Sequence, residues 1–139
     1  MQFEELSNRL IGCAIEVHRA LGPGLLESAY EHCLAHELAL QKIPFQAQVP
    51  LPVCYKGMAI DCGYRLDLMV DRGIIVELKS VANIDPIHKA QLLTYMKLAN
   101  VRVGLLLNFN VSLLKDGITR LILDTGHTRK NPEARPEQM

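Results

Sequence analysis

The chain is 139 residues long, 49% apolar but only 5% aromatic, and it carries 15 basic against 15 acidic residues. That length suits one domain with an aliphatic core, and the zero net charge excludes a global electrostatic attraction to nucleic acid, so any anion affinity has to come from local clustering. No apolar run approaches the roughly 20 residues that span a bilayer. The acidic start, Met-Gln-Phe-Glu-Glu, lacks a signal-peptide pattern. Cys13, Cys33, Cys54 and Cys62 are scattered, with neither zinc-ligand nor disulfide-framework spacing. The expectation is a cytoplasmic protein with buried free thiols and no membrane partner.

Leu6, Leu10, Ala14, Val17 and Leu21 recur at helical spacing, which predicts a helix over residues 3–21. Gly22-Pro23-Gly24 stops it. A second helix is predicted over 25–41, with Leu26, Tyr30, Cys33, Leu34 and Leu38 on its inner side. Gly24 suits its N-cap, with Glu27 three residues on. Residues 45–55 read as extended, and Pro50 and Pro52 argue for an edge strand. Lys56-Gly57 turns into a short strand over 58–61.

The segment from Tyr64 to Ser80 is the most informative part of the chain. Tyr64, Leu66, Leu68 and Val70 alternate with Arg65, Asp67 and Met69. Beyond the turn, Ile74, Val76 and Leu78 alternate with Ile75, Glu77 and Lys79. Period-two alternation predicts a half-buried hairpin. Asp71-Arg72-Gly73 suits a three-residue loop with Gly73 in the left-handed region. Val70 then faces Ile74, Leu68 meets Val76, Leu66 meets Leu78, and Asp67 lies opposite Glu77 with Lys79 on the same face.

Asp85-Pro86 is a helix start, with Asp85 as N-cap and Pro86 at the first helical position. That helix is predicted to run to Ala99. Residues 102–109, with an unbroken Leu105-Leu106-Leu107, predict a strand buried on both faces. A short strand over 119–123 follows. Residues 1–124 thus read as one α/β (α+β) domain around a mixed sheet, and residues 125–139 as a disordered tail.

Asp67 and Glu77 are the first candidates for chemistry, because hard divalent cations prefer carboxylate oxygens and the carbonyl of Leu78 can add a ligand. Lys79 can stabilise developing phosphorane charge. The plainer alternative is a solvated face where Arg65 and Lys79 pair diagonally with the two acids. Glu27 either caps its helix or supplies a further carboxylate. Gln91 and Tyr95 sit four apart on one helix face with His88 and can position phosphate or Lys79. His18 is a weaker candidate, since a histidine there commonly serves the helix C-terminus.

The run Glu-Val-His-Arg-Ala-Leu-Gly-Pro-Gly-Leu-Leu-Glu-Ser-Ala-Tyr contains a Gly-x-x-Glu-x-x-Tyr signature as Gly24, Glu27 and Tyr30. With Val-Glu-Leu-Lys, Gln-Leu-Leu-Thr-Tyr-Met and Leu-Leu-Leu-Asn-Phe-Asn, it resembles the GxxExxY family of the PD-(D/E)xK nuclease superfamily, from about Leu10 to Ile118. The resemblance implies a restriction-endonuclease-like core, a mixed four- to five-stranded sheet flanked by helices. It implies a Mg²⁺- or Mn²⁺-dependent nuclease acting on DNA, with RNA as the other substrate. Asp67, Glu77, Glu27 and the Leu78 carbonyl match the metal-binding positions, and Lys79 matches the lysine of the motif. Gln91 and Tyr95 match a RecB-like Gln-x-x-x-Tyr element, and His18 corresponds to an additional histidine of such nucleases. Tyr30 joins the substrate-positioning set. The motif's proline is absent, since Leu66 precedes Asp67. The alternative is a binding module that keeps the fold without cutting, with a protein partner or a homodimer setting substrate choice.

Overall fold

The computed structural model describes residues 3–124, and the expected tail from residue 125 lies outside the described residues. The elements run α1 (Phe3–Leu21), α2 (Glu27–Leu40), β1 (Phe45–Pro50), β2 (Val53–Tyr55), β3 (Met58–Ile60), β4 (Arg65–Val70), β5 (Ile74–Lys79), α3 (Pro86–Ala99), β6 (Val103–Asn108), a 3₁₀ turn (Leu114–Gly117) and β7 (Ile118–Ile122). The main sheet has the order β1-β4-β5-β6-β7. β5 and β6 are parallel and are connected through α3; the other pairings are antiparallel. β2 and β3 form a separate two-stranded ribbon. This is a mixed α/β architecture consistent with a restriction-endonuclease-like core.

Helices cover both faces of the sheet. On one side α1 and α2 bury Leu6, Leu10, Leu34 and Leu38 against Leu68, Val70, Ile74, Val76, Leu78, Leu105 and Leu107. On the other, Leu92 and Met96 of α3 pack on Leu66, Ile75 and Leu106. The expected half-solvated hairpin is therefore wrong for β5, whose residues from Ile74 to Leu78 are all buried. Strand alternation places Glu77 and Lys79 on the α3 side with Ile75.

The predicted register holds where backbone pairs with backbone: Val70 faces Ile74, Met69 faces Ile75 and Leu68 faces Val76. The ladder stops there. Leu66, expected to meet Leu78, packs instead on the α3 side, whereas Leu68 and Val70 pack on the other. The strand twists over at Asp67. Its edge neighbour β1 changes at the same level: Ala47 pairs with Leu68 and Val49 with Leu66, bypassing Gln48, whose φ is +52°. The hairpin loop also differs from expectation. Asp71 and Arg72, not Gly73, take positive φ (+48° and +58°), and Gly73 N–H donates to Val70 O at 3.0 Å. Two left-handed central residues give the turn a twist that matches the strands.

α1 and α3 have the predicted bounds, and Asp85 is the N-cap of α3 with Pro86 following. α2 begins two residues later than expected, with Leu26 rather than Gly24 at its N-cap. Leu26 is accordingly 77% exposed rather than on the inner side. Of the four free cysteines only Cys13 is fully buried, and Cys54 and Cys62 are exposed.

Two glycines should respond to alanine with opposite signs. A Cβ on Gly117 would overlap the backbone carbonyl oxygen of Asn108, which cannot turn aside, whereas one on the mid-helical Gly12 meets nothing within 4 Å. Gly117→Ala should destabilise by about 1–3 kcal/mol, and Gly12→Ala should stabilise by roughly 0.5–1 kcal/mol. Urea denaturation at matched slopes measures both.

Candidate active site at the broken ladder

Where β4 and β5 cease to pair, side chains replace the missing carbonyls. The Asp67 N–H donates to Glu77 Oε2 at 3.0 Å, and the Leu78 N–H donates to Asp67 Oδ2 at 2.9 Å. Each carboxylate thus accepts a main-chain proton from the opposite strand. Glu77 is 8% exposed and Asp67 is half-buried. Burial, reinforced by the charge of Asp67, pushes Glu77 up to about 8, against the opposing pull of the Asp67 amide and of Lys79. Asp67 is also raised, chiefly by burial and further by Glu27, while the Leu78 amide, Lys79 and the Gln48 side chain act to lower it. Two like charges this close hold a proton between them near neutrality.

Lys79 is held by its own backbone, whose carbonyl accepts the Phe109 N–H at 2.9 Å. The buried Asn108 fixes the next residues. Its Oδ1 accepts from Val81 N–H at 3.1 Å and from Asn110 N–H at 3.2 Å, and its Nδ2 donates to Val81 O at 3.0 Å. Sequence reasoning missed Asn108; a polar residue closing an apolar strand run was the available signal. Glu27 is drawn to the same end of the sheet, where its Oε2 accepts the Ser80 N–H at 3.1 Å and Ser80 Oγ donates to Leu25 O at 2.8 Å.

Tyr95 of α3 lies at the other flank. Its phenol is raised by burial, then by the charges of Glu77, Tyr64 and Asp67, and its ring centroid is 6.0 Å from that of Tyr64. Gln91, one turn earlier, is exposed and shares a groove with Tyr95. Gln48 is a second residue that sequence reasoning missed. Its Nε2 donates to Glu31 Oε1 at 2.8 Å and its side chain also bonds Asp67. Nothing in its residue type marked it, because the bypassed position arises only from pairing with β4.

Tyr30 and His18 are not brought to the carboxylates. Tyr30 is fully buried. Its hydroxyl donates to Gly22 O at 2.5 Å and accepts from Leu25 N–H at 3.1 Å, clamping the loop between α1 and α2. Its ring stacks on Phe109 with centroids 4.4 Å apart. His18 Nε2 lies 3.1 Å from Phe109 O and 2.9 Å from Val111 O, so that nitrogen carries the proton. The Tyr30 hydroxyl and His18 Nε2 are thus both engaged by main-chain groups of the α1–α2 loop and of the segment after β6, not by the carboxylates.

The donor set suits a hard divalent cation. It offers two carboxylates forced together in a desolvated spot, each with one oxygen not engaged by these amide bonds. The Leu78 amide points into the gap, and in extended backbone the carbonyl of the same residue faces the same edge. Among the described residues, no cluster of three or more His, Cys, Asp or Glu is arranged to hold a metal ion. Glu27 therefore stands apart from the pair. Among those residues, too, no helix is long and apolar enough to cross a membrane.

A family model described as the PD-(D/E)XK nuclease superfamily matches residues 4–121. No curated protein and no solved structure matches the chain.

The raised pKa of Glu77 has a definite consequence for stability. Unfolded, Glu77 ionises near its ordinary value of 4.5, whereas folded it keeps its proton to about 8. Between those values the folded state binds more protons, so stability should fall as pH rises from about 5 to 8, by up to about 1.4 kcal/mol per pH unit. Glu77→Gln should flatten this slope, and Mn²⁺ should raise the melting temperature of the wild type at pH 8 but not that of Glu77→Gln. Thermal melts across pH, with and without Mn²⁺, check both.

Proposed function

The chain belongs to the PD-(D/E)XK nuclease superfamily, and on that premise we propose that Asp67, Glu77 and Lys79 form the centre of a divalent-metal-dependent phosphodiesterase acting on DNA, with RNA as the other substrate. The observation that carries this reading is the reciprocal bonding of the two carboxylates across the open ladder, with Lys79 two residues beyond Glu77. Asp67, Glu77 and the Leu78 carbonyl would hold Mg²⁺ or Mn²⁺, which when bound supplies charge neutralisation at phosphate oxygens and acidifies water. Lys79 stabilises negative charge that grows on the phosphoryl oxygens. Gln91 and Tyr95 orient the phosphate from α3, as in RecB-like members, and Glu27 keeps the Ser80 segment in place while offering a further carboxylate at longer range. The spacing of Gly24, Glu27 and Tyr30 supports reading the chain as a member of the GxxExxY group. We read residues 1–124 as a single domain of a cytoplasmic protein.

A second reading has a specific observation in its favour. Among the described residues no third His, Cys, Asp or Glu side chain joins the carboxylate pair to hold a metal ion, and a binding module that keeps the fold without cutting needs none. Such a module need show no carboxylate-dependent Mn²⁺ affinity, so calorimetry on wild type and Asp67→Ala separates the two.

Incubated with Mn²⁺ and single- or double-stranded DNA, the wild type should cleave, and Asp67→Ala and Lys79→Ala should each lose at least about a hundred-fold in rate. Undiminished cleavage in both variants rejects the assignment.

A further inference from the structure

A groove of about 360 Å³ runs along α3 beside the carboxylates, lined among others by Val53, Tyr64, Ile87, Ala90, Gln91 and Tyr95. Its lining is largely apolar, with an aromatic rim. Among the described residues, the aromatic side chains that stand exposed are Tyr55 and Tyr64, at 59% and 46%. Both belong to the segment that frames this groove from the ribbon side, and Val53 at the base of the ribbon forms part of its wall. The backbone of Tyr64 is fixed, since its carbonyl accepts the Leu51 N–H at 2.9 Å, yet its ring is nearly half open to solvent. The ring meets Tyr95 at 51°.

We propose that this groove is a stacking subsite for one unpaired nucleobase, with Tyr64 as the platform, so that the substrate strand is single-stranded at the nucleotide beside the carboxylates. This rests on the phosphodiesterase reading. Two observations favour a base over other occupants. The groove lies close to the carboxylates, because its wall includes Tyr64, three residues before Asp67 in the chain, and Tyr95, whose phenol feels the charges of Glu77 and Asp67. A strand whose phosphate lies at those carboxylates presents its neighbouring base within reach of Tyr64. The chain has zero net charge, so it lacks the positive field that holds duplex DNA non-specifically, and affinity has to come from contacts such as base–aromatic stacking. A base inside a duplex has both faces covered by its neighbours and cannot stack on Tyr64; a single strand, a frayed end or a flipped nucleotide can.

The test measures fluorescence anisotropy of a labelled twelve-nucleotide thymidine strand and of the same strand in duplex, with Ca²⁺, on the Lys79→Ala background so that the strand survives. The single strand should bind at least ten-fold more tightly than the duplex. Tyr64→Ala should weaken the single strand about ten-fold and leave the duplex unchanged, while Tyr64→Phe should bind as the parent does. The chain has four tyrosines and no tryptophan, so stacking also quenches its intrinsic fluorescence, and Tyr64→Phe should lose that quench while keeping its affinity. Equal binding of Tyr64→Ala and parent, or equal losses on single strand and duplex, overturns the subsite. So does self-association that Tyr64→Ala abolishes, which assigns the groove to a second copy. If cleavage sensitive to Asp67→Ala persists in any of these cases, the nuclease reading stands without the subsite. If cleavage is indifferent to Asp67 while Tyr64 still governs single-strand binding, the subsite stands and the catalytic centre falls.

Discussion

Two main-chain amides with no carbonyl to bond are the constraint around which this site is built. When β4 and β5 separate beyond Leu68 and Val76, the N–H groups of Asp67 and Leu78 lose their ladder partners. A buried amide without an acceptor costs about 1–3 kcal/mol, so the fold needs acceptors at that point. Glu77 and Asp67 supply them. The same exchange pins both carboxylates side by side, each with one oxygen not engaged by these amide bonds. The groups that complete the sheet are thus the groups proposed for chemistry, and burial keeps them from both being charged without help. A cation relieves the repulsion that the backbone geometry imposes.

The surrounding parts hold that gap open from behind. Tyr30 clamps the loop that delivers Glu27, and Glu27 in turn anchors Ser80, the residue after Lys79. Phe109 stacks on Tyr30, bonds Lys79 through its amide and receives His18 at its carbonyl. A glycine, a glutamate and a tyrosine at this spacing therefore have a mechanical meaning. Gly24, with φ +99°, lets the loop turn, Glu27 reaches forward, and Tyr30 braces from the core. Glu27 and Tyr30 both act on the end of β5 through intermediates.

The limits of α1 and α3, the α3 start at Asp85-Pro86, the doubly buried β6 and the hairpin register down to Leu68–Val76 were legible in the sequence, because each follows from periodicity or from turn and cap chemistry within a few residues. Asp67, Glu77 and Lys79 were legible as a group for the same reason. What escaped was decided at long range. The open ladder depends on β1 and β4 twisting together at Gln48 and Asp67, which no local pattern records. The burial of Glu77 depends on α3 crossing the sheet, although an apolar Ile75 between Ile74 and Val76 hinted that both faces of β5 were covered. Tyr30 was legible as an inner-side residue of its helix, but the partners of its hydroxyl depend on the path of the α1–α2 loop, which no local pattern records.

The placement of these residues at one end of the sheet follows from the topology. β5 is the strand at which pairing changes from antiparallel to parallel, and Glu77 and Lys79 lie near its C-terminal end beside Asn108 at the end of β6. Strand C-termini at such a change of direction leave a crevice, since the chain departs there into helices. The chain departs from β5 into α3 on one face, and α2 begins at Glu27 on the other, tied to Ser80. The start of α2 lies at that end of the sheet, since its first residue Glu27 accepts the Ser80 N–H, and a helix start carries the positive end of the dipole. A carboxylate pair set opposite a helix start and a lysine gives a site with both signs of charge in reach. On the proposed function, a polyanionic strand lying across it would meet attraction from Lys79 and the helix end, and repulsion from Asp67 and Glu77 that an intervening cation would cancel. Binding of strand and cation would thereby be coupled, since each removes the electrostatic obstacle to the other.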